Sequence, residues 1–248
     1  MSKAVIFARR NLKEILRSPV GWIFGLLMPV GIFVIMQVIV KSIGDAAAQV
    51  PMFGVDRFTG GAVIFGASFL CLFTAMQISG DRKTSFSERL SSSPMKPGDF
   101  IIGYMLGVMP LAIAQSVVTV CTALCFGLAP TPHILVMLVF SVVVSVMFAA
   151  VGVIAGSVFS DKNAPPICSV AVQIAALLCG MWFDLDAIGG GFNVFCHVLP
   201  FAHAYDMIRY ALAGNYAEVW LPTLVVLIYT VALVGAAVLV YMKRAQRQ

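Results

Sequence analysis

Six apolar runs, most of them at or beyond the roughly twenty residues a helix needs to cross about 30 Å of hydrocarbon, leave this chain few folds to choose from. They are Val20 to Val40, Gly60 to Ser79, Phe100 to Leu128, Ile134 to Phe159, Pro166 to Phe183 and Val219 to Met242. Only 11% of the residues are charged, whereas about a quarter are in an ordinary soluble domain. The pattern predicts an all-α integral membrane protein with six transmembrane helices, forming a single domain over residues 1–248.

Basic residues in the connections set the orientation. Lys3, Arg9, Arg10, Lys13, Arg17, Arg82, Lys83, Arg89, Lys96, Lys162, Lys243, Arg244 and Arg247 fall on one side of six crossings, and Lys41, Arg57 and Arg209 on the other. The richer side is expected to be cytoplasmic, with both termini there. The outer side then totals about three negative charges and the inner side about eight positive.

The stretch from Phe192 to Ala213 is partly apolar, but it carries His197, Pro200, His203, Asp206 and Arg209. Charged groups in hydrocarbon cost several kcal/mol on most scales, and a seventh crossing would place Lys243, Arg244 and Arg247 outside. The stretch therefore reads as a broken, re-entrant hairpin in the outer leaflet, reversed by Gly189, Gly190 and Gly191. Such backbone needs protein or water around it, so the hairpin is expected to line or cap a cavity.

Before the first run, Val5, Ala8, Leu12, Ile15 and Leu16 fall in one helical arc, with Arg10, Lys13, Glu14 and Arg17 opposite. This predicts a basic amphipathic interfacial helix over residues 1–19, ended by Pro19. Ala46 and Ala48 have cleavage-like spacing after the first run, but that run exceeds a signal-peptide core of 7–15 residues and is expected to stay.

Five of the six cysteines lie within the runs, where thiols act as small hydrophobes. Cys196, His197 and His203 are too small a donor set to predict a metal site without a further soft ligand. No GxxxxGK[ST] loop occurs, so the chain is not expected to hydrolyse ATP alone or to bind a cofactor itself. The interiors of the runs hold no Asp, Glu, Lys, Arg or His, which argues against an ion-coupled carrier and against intramembrane hydrolysis.

What the runs do hold is mild polarity, including Gln37, Gln77, Gln115, Gln173, Ser68, Ser116, Thr119, Ser141, Ser145, Thr223 and Thr230. These read as hydrogen bonds between neighbouring helices. The alternative is a path for an amphipathic or lipid-like substrate, for which Gln37, Gln115 and Gln173 are candidates. Asp206 and Arg209, three apart on a helix, read as a structural ion pair, with an outer gate or substrate contact as the alternative. Asp184 and Asp186 add negative charge at the outer mouth, read as solvated acids or as an aid to a cationic substrate. Three GxxxG pairs, Gly21 with Gly25, Gly103 with Gly107 and Gly152 with Gly156, permit close helix contact.

The segment from Asp81 to Asp99, DRKTSFSERLSSSPMKPGD, concentrates seven charged side chains between two apolar runs. Together with Arg10-Asn11-Leu12, Arg17-Ser18-Pro19, Leu27-Met28-Pro29, Leu199-Pro200, Ala204-Tyr205-Asp206 and Arg209, it resembles the type 2 ATP-binding-cassette (ABC-2) permeases. The short drug- and polysaccharide-export members are the most similar. The resemblance implies that a cytoplasmic coupling helix between spans two and three docks on a separate ATPase subunit. That role would fall on Asp81, Arg82, Lys83, Ser85, Phe86, Glu88, Arg89 and Leu90, with Pro94 ending the helix. Ser85 departs from the glycine the family often has there, as Phe183-Asp184 does from Phe-Pro after the fifth span. Phe86 and Leu90 are four apart and would share a helical face.

The expected protein is thus a permease subunit of an exporter in a bacterial plasma (inner) membrane. It would pair with itself or a related permease and with two ATPase subunits carrying ATP and Mg, contacting membrane lipid and no nucleic acid. A membrane anchor or immunity protein that recruits a partner is the rival, and a channel or secondary carrier the third possibility.

Overall fold

In the computed structural model, which describes residues 3–44, 54–83 and 97–245, every regular element is a helix. The order is α1 (Lys3–Arg17), α2 (Pro19–Trp22), a π-helical turn (Ile23–Leu27), α3 (Met28–Ile43), α4 (Val55–Lys83), α5 (Pro97–Cys125) and α6 (His133–Val158). There follow α7 (Ala164–Leu178), α8 (Leu185–Ile188), α9 (Gly190–Val198), α10 (Pro200–Ala213) and α11 (Tyr216–Ala245). Among the described residues, five stretches are long and apolar enough to cross a membrane: Ile23–Ile43, Val55–Lys83, Gly98–Cys125, His133–Val158 and Tyr216–Arg244. The fifth apolar run forms only the 15 residues of α7, about 22 Å at 1.5 Å per residue. It stops where the chain turns through Gly180, whose φ of 89° suits glycine.

Helix α4 is the centre, buried almost continuously from Phe58 to Ser79. Its most extensive neighbour is α6, with α5, α7, α10 and α3 around it. Without water to drive apolar surfaces together in a bilayer, helices associate through close packing at small residues. The second and third GxxxG pairs serve this directly. A Cβ on Gly152 would stand 2.5 Å from the Cys71 carbonyl oxygen, and one on Gly156 2.7 Å from that of Ala75, so both glycines lie on the backbone of α4. Gly103 and Gly107 give the same close approach between α5 and α1, where an added Cβ would meet Phe7 and Asn11.

Pro29 explains the irregularity of the first span. A helix-interior proline lacks the N–H its turn needs and crowds the preceding carbonyls. The chain responds just before it with a π-turn, in which the Met28 N–H reaches back to the Ile23 carbonyl.

The intramembrane hydroxyls correct one expectation. Ser68, Ser116, Thr119, Ser141, Ser145, Thr223 and Thr230 donate to carbonyls three or four residues earlier in their own helices. A short hydroxyl reaches that carbonyl without meeting another helix, so α4 and its neighbours are joined mainly by packing.

The face of α1 that packs within the chain shares only Ala8 and Ile15 with the apolar arc. Ala4, Phe7, Ala8, Asn11 and Ile15 are buried, while Val5 and Leu16 are each 41% exposed. The face was set by α5: Phe7 meets Phe100 and Tyr104 edge-on at 5.6 and 4.9 Å. Pro19 does mark the end of α1, standing at the first position of α2, where its missing N–H costs nothing.

Between α7 and α11 the chain runs through three short helices. Asp184 caps α8, accepting from the Asp186 and Ala187 N–H groups. Gly189 and Gly190 take positive φ, at 62° and 61°, and Leu199 is extended as the residue before a proline tends to be. The result is a pair of helices, α9 and α10, broken at Leu199-Pro200.

Candidate functional site

At its C-terminal end α4 carries Asp81, Arg82 and Lys83, and each is tied to a different part of the chain. Asp81 is 7% exposed. It accepts two bonds from Arg10 of α1, at 2.6 and 2.7 Å, and one from the Tyr104 hydroxyl of α5 at 2.8 Å. The paired geometry matches a planar guanidinium to a carboxylate, and the hydrogen bond to Asp81 holds Arg10 above its ordinary value.

The same junction is reinforced through Asn11, buried on the inner face of α1. Its backbone carbonyl accepts from Gln77 Nε2 at 2.8 Å, its side-chain Oδ1 from Arg10 at 3.1 Å, and its Nδ2 donates to the Gly103 carbonyl at 3.4 Å. One turn on, Arg82 donates to the carbonyls of Gly156 and Ser157 at 2.9 and 2.7 Å. It thereby covers the C-terminus of α6, where helix carbonyls lack partners and a cation is favoured. Lys83 meets Asp161 at 3.2 Å on the surface, a contact worth little energetically.

The end of α4 is therefore fixed to α1, α5 and α6 by the first two residues of the charged segment. Ser85, Phe86, Glu88, Arg89 and Leu90, together with Pro94, lie outside the described residues. Arg10, Asn11, Gln77 and Tyr104 escaped sequence reasoning as parts of this junction. A buried Asp near a basic helix was the only available signal, and nothing local says which arginine it meets.

At the opposite end of α4, Arg57 donates to Asp184 at 3.1 Å, and its carbonyl accepts the Tyr205 hydroxyl at 3.3 Å. Asp206 lies 3.3 Å from His197 Nε2 and 3.6 Å from Arg209. Burial pushes the Asp206 carboxyl up, against the pull of Arg209 and His197. The crevice among Arg57, Asp184, His197, Tyr205, Asp206 and Arg209 has a volume of about 20 Å³, room for about one water molecule. Cys196 is buried beside this cluster, and the rings of His197 and His203 stand 5.3 Å apart, edge to face.

The three glutamines named as path candidates have different surroundings. Gln37 and Gln115 are each 1% exposed, whereas Gln173 is exposed on α7. Gln115 lies close to Gly66 and Pro29 side by side. Among the described residues neither end of its amide finds a hydrogen-bond partner. That is costly inside a helix bundle.

A family model described as ABC-2 type transporter matches residues 3–213. The chain is also similar to ABC transporter G family member 20 of Dictyostelium discoideum, 29% identical over 159 residues. That match covers 61% of this chain and 22% of the slime-mould protein, so the matched region spans about a fifth of that relative's length.

Proposed function

The chain belongs to the ABC-2 type transporter family, and on that premise we propose that it is the membrane subunit of an exporter whose ATP is hydrolysed by a separate ATPase. The permease component of an ABC transporter is what a membrane domain of this family is. Export as the direction, and an amphipathic or lipid-like substrate such as a drug, peptide, lipid or glycan, are our reading. Six crossings complete the topology if α7, with the turn after it, spans a bilayer thinned or filled in by α8 to α10. Both termini then face the cytoplasm of a bacterial inner membrane.

In this reading the segment after Lys83 is the coupling helix. Ser85, Phe86, Glu88, Arg89 and Leu90 meet the ATPase. Asp81 and Arg82, being held within the chain, anchor its base and pass its motion to α1, α5 and α6. Two such permeases, identical or related, enclose the path, and two ATPases drive it. Gln37, Gln115 and Gln173 are the proposed polar points of that path. Asp206 and Arg209, with the closed crevice beside them, form its outer gate. The single observation that carries the proposal is the three-way fixation of the α4 terminus, because a merely solvated topological loop has no need of it.

The test is ATP-dependent accumulation of a lipophilic dye series in inverted membrane vesicles containing the chain and its cognate ATPase. Uptake that needs both subunits and ATP is expected. Uptake that persists without the ATPase would indicate a channel or secondary carrier instead.

A further inference from the structure

Two of the three basic residues assigned to the outer side by the sequence gather at one place. Arg57, from the first turn of α4, and Arg209, near the end of α10, both line a cavity of about 460 Å³. The remaining polar lining includes Asp56, Thr131 and Asn215, and Leu212 adds to the apolar side. This cavity lies at the end of the bundle away from Arg10 and Asp81, where helices give way to connections.

Charge decides what the cavity suits. Arg57 is paired with Asp184 at 3.1 Å and Arg209 stands 3.6 Å from Asp206, both carboxylates outside the lining, so among the described lining residues Asp56 is the charge left in excess, without an ion-pair partner. An anion alone would add to that excess. Each guanidinium nevertheless keeps donors to offer: Arg57 gives Asp184 one bond from Nη1. Arg209 stands over the Tyr210 ring with its guanidinium carbon 4.8 Å from the ring centre, its carboxylate contact too long for a good hydrogen bond. A ligand that carries a phosphate and its own ammonium meets both demands. We infer that this cavity binds the phosphoethanolamine headgroup of a membrane phospholipid. Arg57 and Arg209 hold the phosphate, Asp56 takes the ammonium, and Leu128 and Leu212 meet the start of the acyl chains. The site stands whether or not the chain exports anything.

Native mass spectrometry of the full chain in detergent, stripped of lipid and titrated with phospholipids of one acyl composition, tests this. Phosphatidylethanolamine should be retained at roughly tenfold lower concentration than phosphatidylglycerol, the scale of one charge-assisted hydrogen bond. Phosphatidylcholine, whose quaternary ammonium has no N–H, should bind more weakly than phosphatidylethanolamine. Asp56→Asn should erase the preference over phosphatidylglycerol, and Arg209→Gln should weaken both lipids. Ala129→Trp, in an exposed connection at the cavity wall, should block the cavity and weaken all three, with the thermal melt of each variant confirming its fold. Equal retention of all lipids, unmoved by the substitutions, would mean only a solvating lipid shell and would overturn the site. Preference for phosphatidylglycerol would overturn the charge argument. Displacement of lipid by micromolar soluble phosphoethanolamine would overturn the membrane as the source.

Discussion

A single carboxylate shows what one residue can organise here. Asp81 joins α4 to α1 and α5 through Arg10 and Tyr104, and Arg10 is 36% exposed at its side chain while Asp81 is 8%. Removing one partner of a buried pair costs about 3–5 kcal/mol, and solvent at Arg10 brings the expected cost of Asp81→Ala down to about 2–3 kcal/mol. Tyr104→Phe, losing one hydrogen bond, should cost about 1–2 kcal/mol. Thermal unfolding in detergent would rank the two. His203 makes a pH-dependent prediction. Its Nε2–H donates to the His197 carbonyl at 2.9 Å, its Nδ1 has no partner among the described residues, and burial pushes its value down. A lowered histidine contributes stability that is present above about pH 6.5 and lost as pH falls through its folded value. Asp206, raised by burial, acts in the opposite sense, so the quantity to measure is the difference between wild type and His203→Gln. Wild type should lose melting temperature on acidification more steeply than the variant. None of these pairings was legible in the chain, because Arg10 and Asp81 are 71 residues apart and only tertiary packing brings them together.

Among the elements, hydropathy located the long apolar helices well, since twenty apolar residues have few alternatives in a bilayer. Helix faces were less readable. The side of α1 that is buried includes Asn11 and two alanines, chosen by the groove at Gly103 and Gly107 rather than by apolarity. Val5 and Leu16, more hydrophobic, were left exposed. The small-residue pairs proved more informative, and they predict where substitution is intolerable. Gly156→Leu should destabilise by about 1–3 kcal/mol or more, because its Cβ would stand against the α4 backbone, which no rotamer change relieves. Gly235→Ala in α11, where nothing lies within 4 Å of an added Cβ, should be neutral or stabilise by up to about 1 kcal/mol. Melting temperatures of the two variants would give the contrast directly. The short α7 was beyond sequence reading for a different reason: Cys179 to Phe183 are apolar enough to continue a helix, and only the turn at Gly180 ends it.

For the whole molecule, the two ends of the bundle have different characters. One end carries fixed charged residues that open the Asp81 to Asp99 segment, and the other carries a closed polar crevice beneath short broken helices. The family and the long spans were legible from motif order and apolar length. The Asp206–Arg209 pair was legible from its three-residue helical spacing, but the Arg10–Asp81 pair was not, nor that Asp184, read as a solvated acid, is met by Arg57. If the charged segment is the docking element, its apolar face should carry most of the contact energy, as small numbers of residues do at interfaces. Co-purification of the ATPase with affinity-tagged permease measures this directly. Phe86→Ala and Glu88→Lys should each lower the recovered ATPase by roughly tenfold, with the variants inserted in the membrane at wild-type levels. Recovery of the ATPase at the wild-type level by both variants would contradict the coupling role.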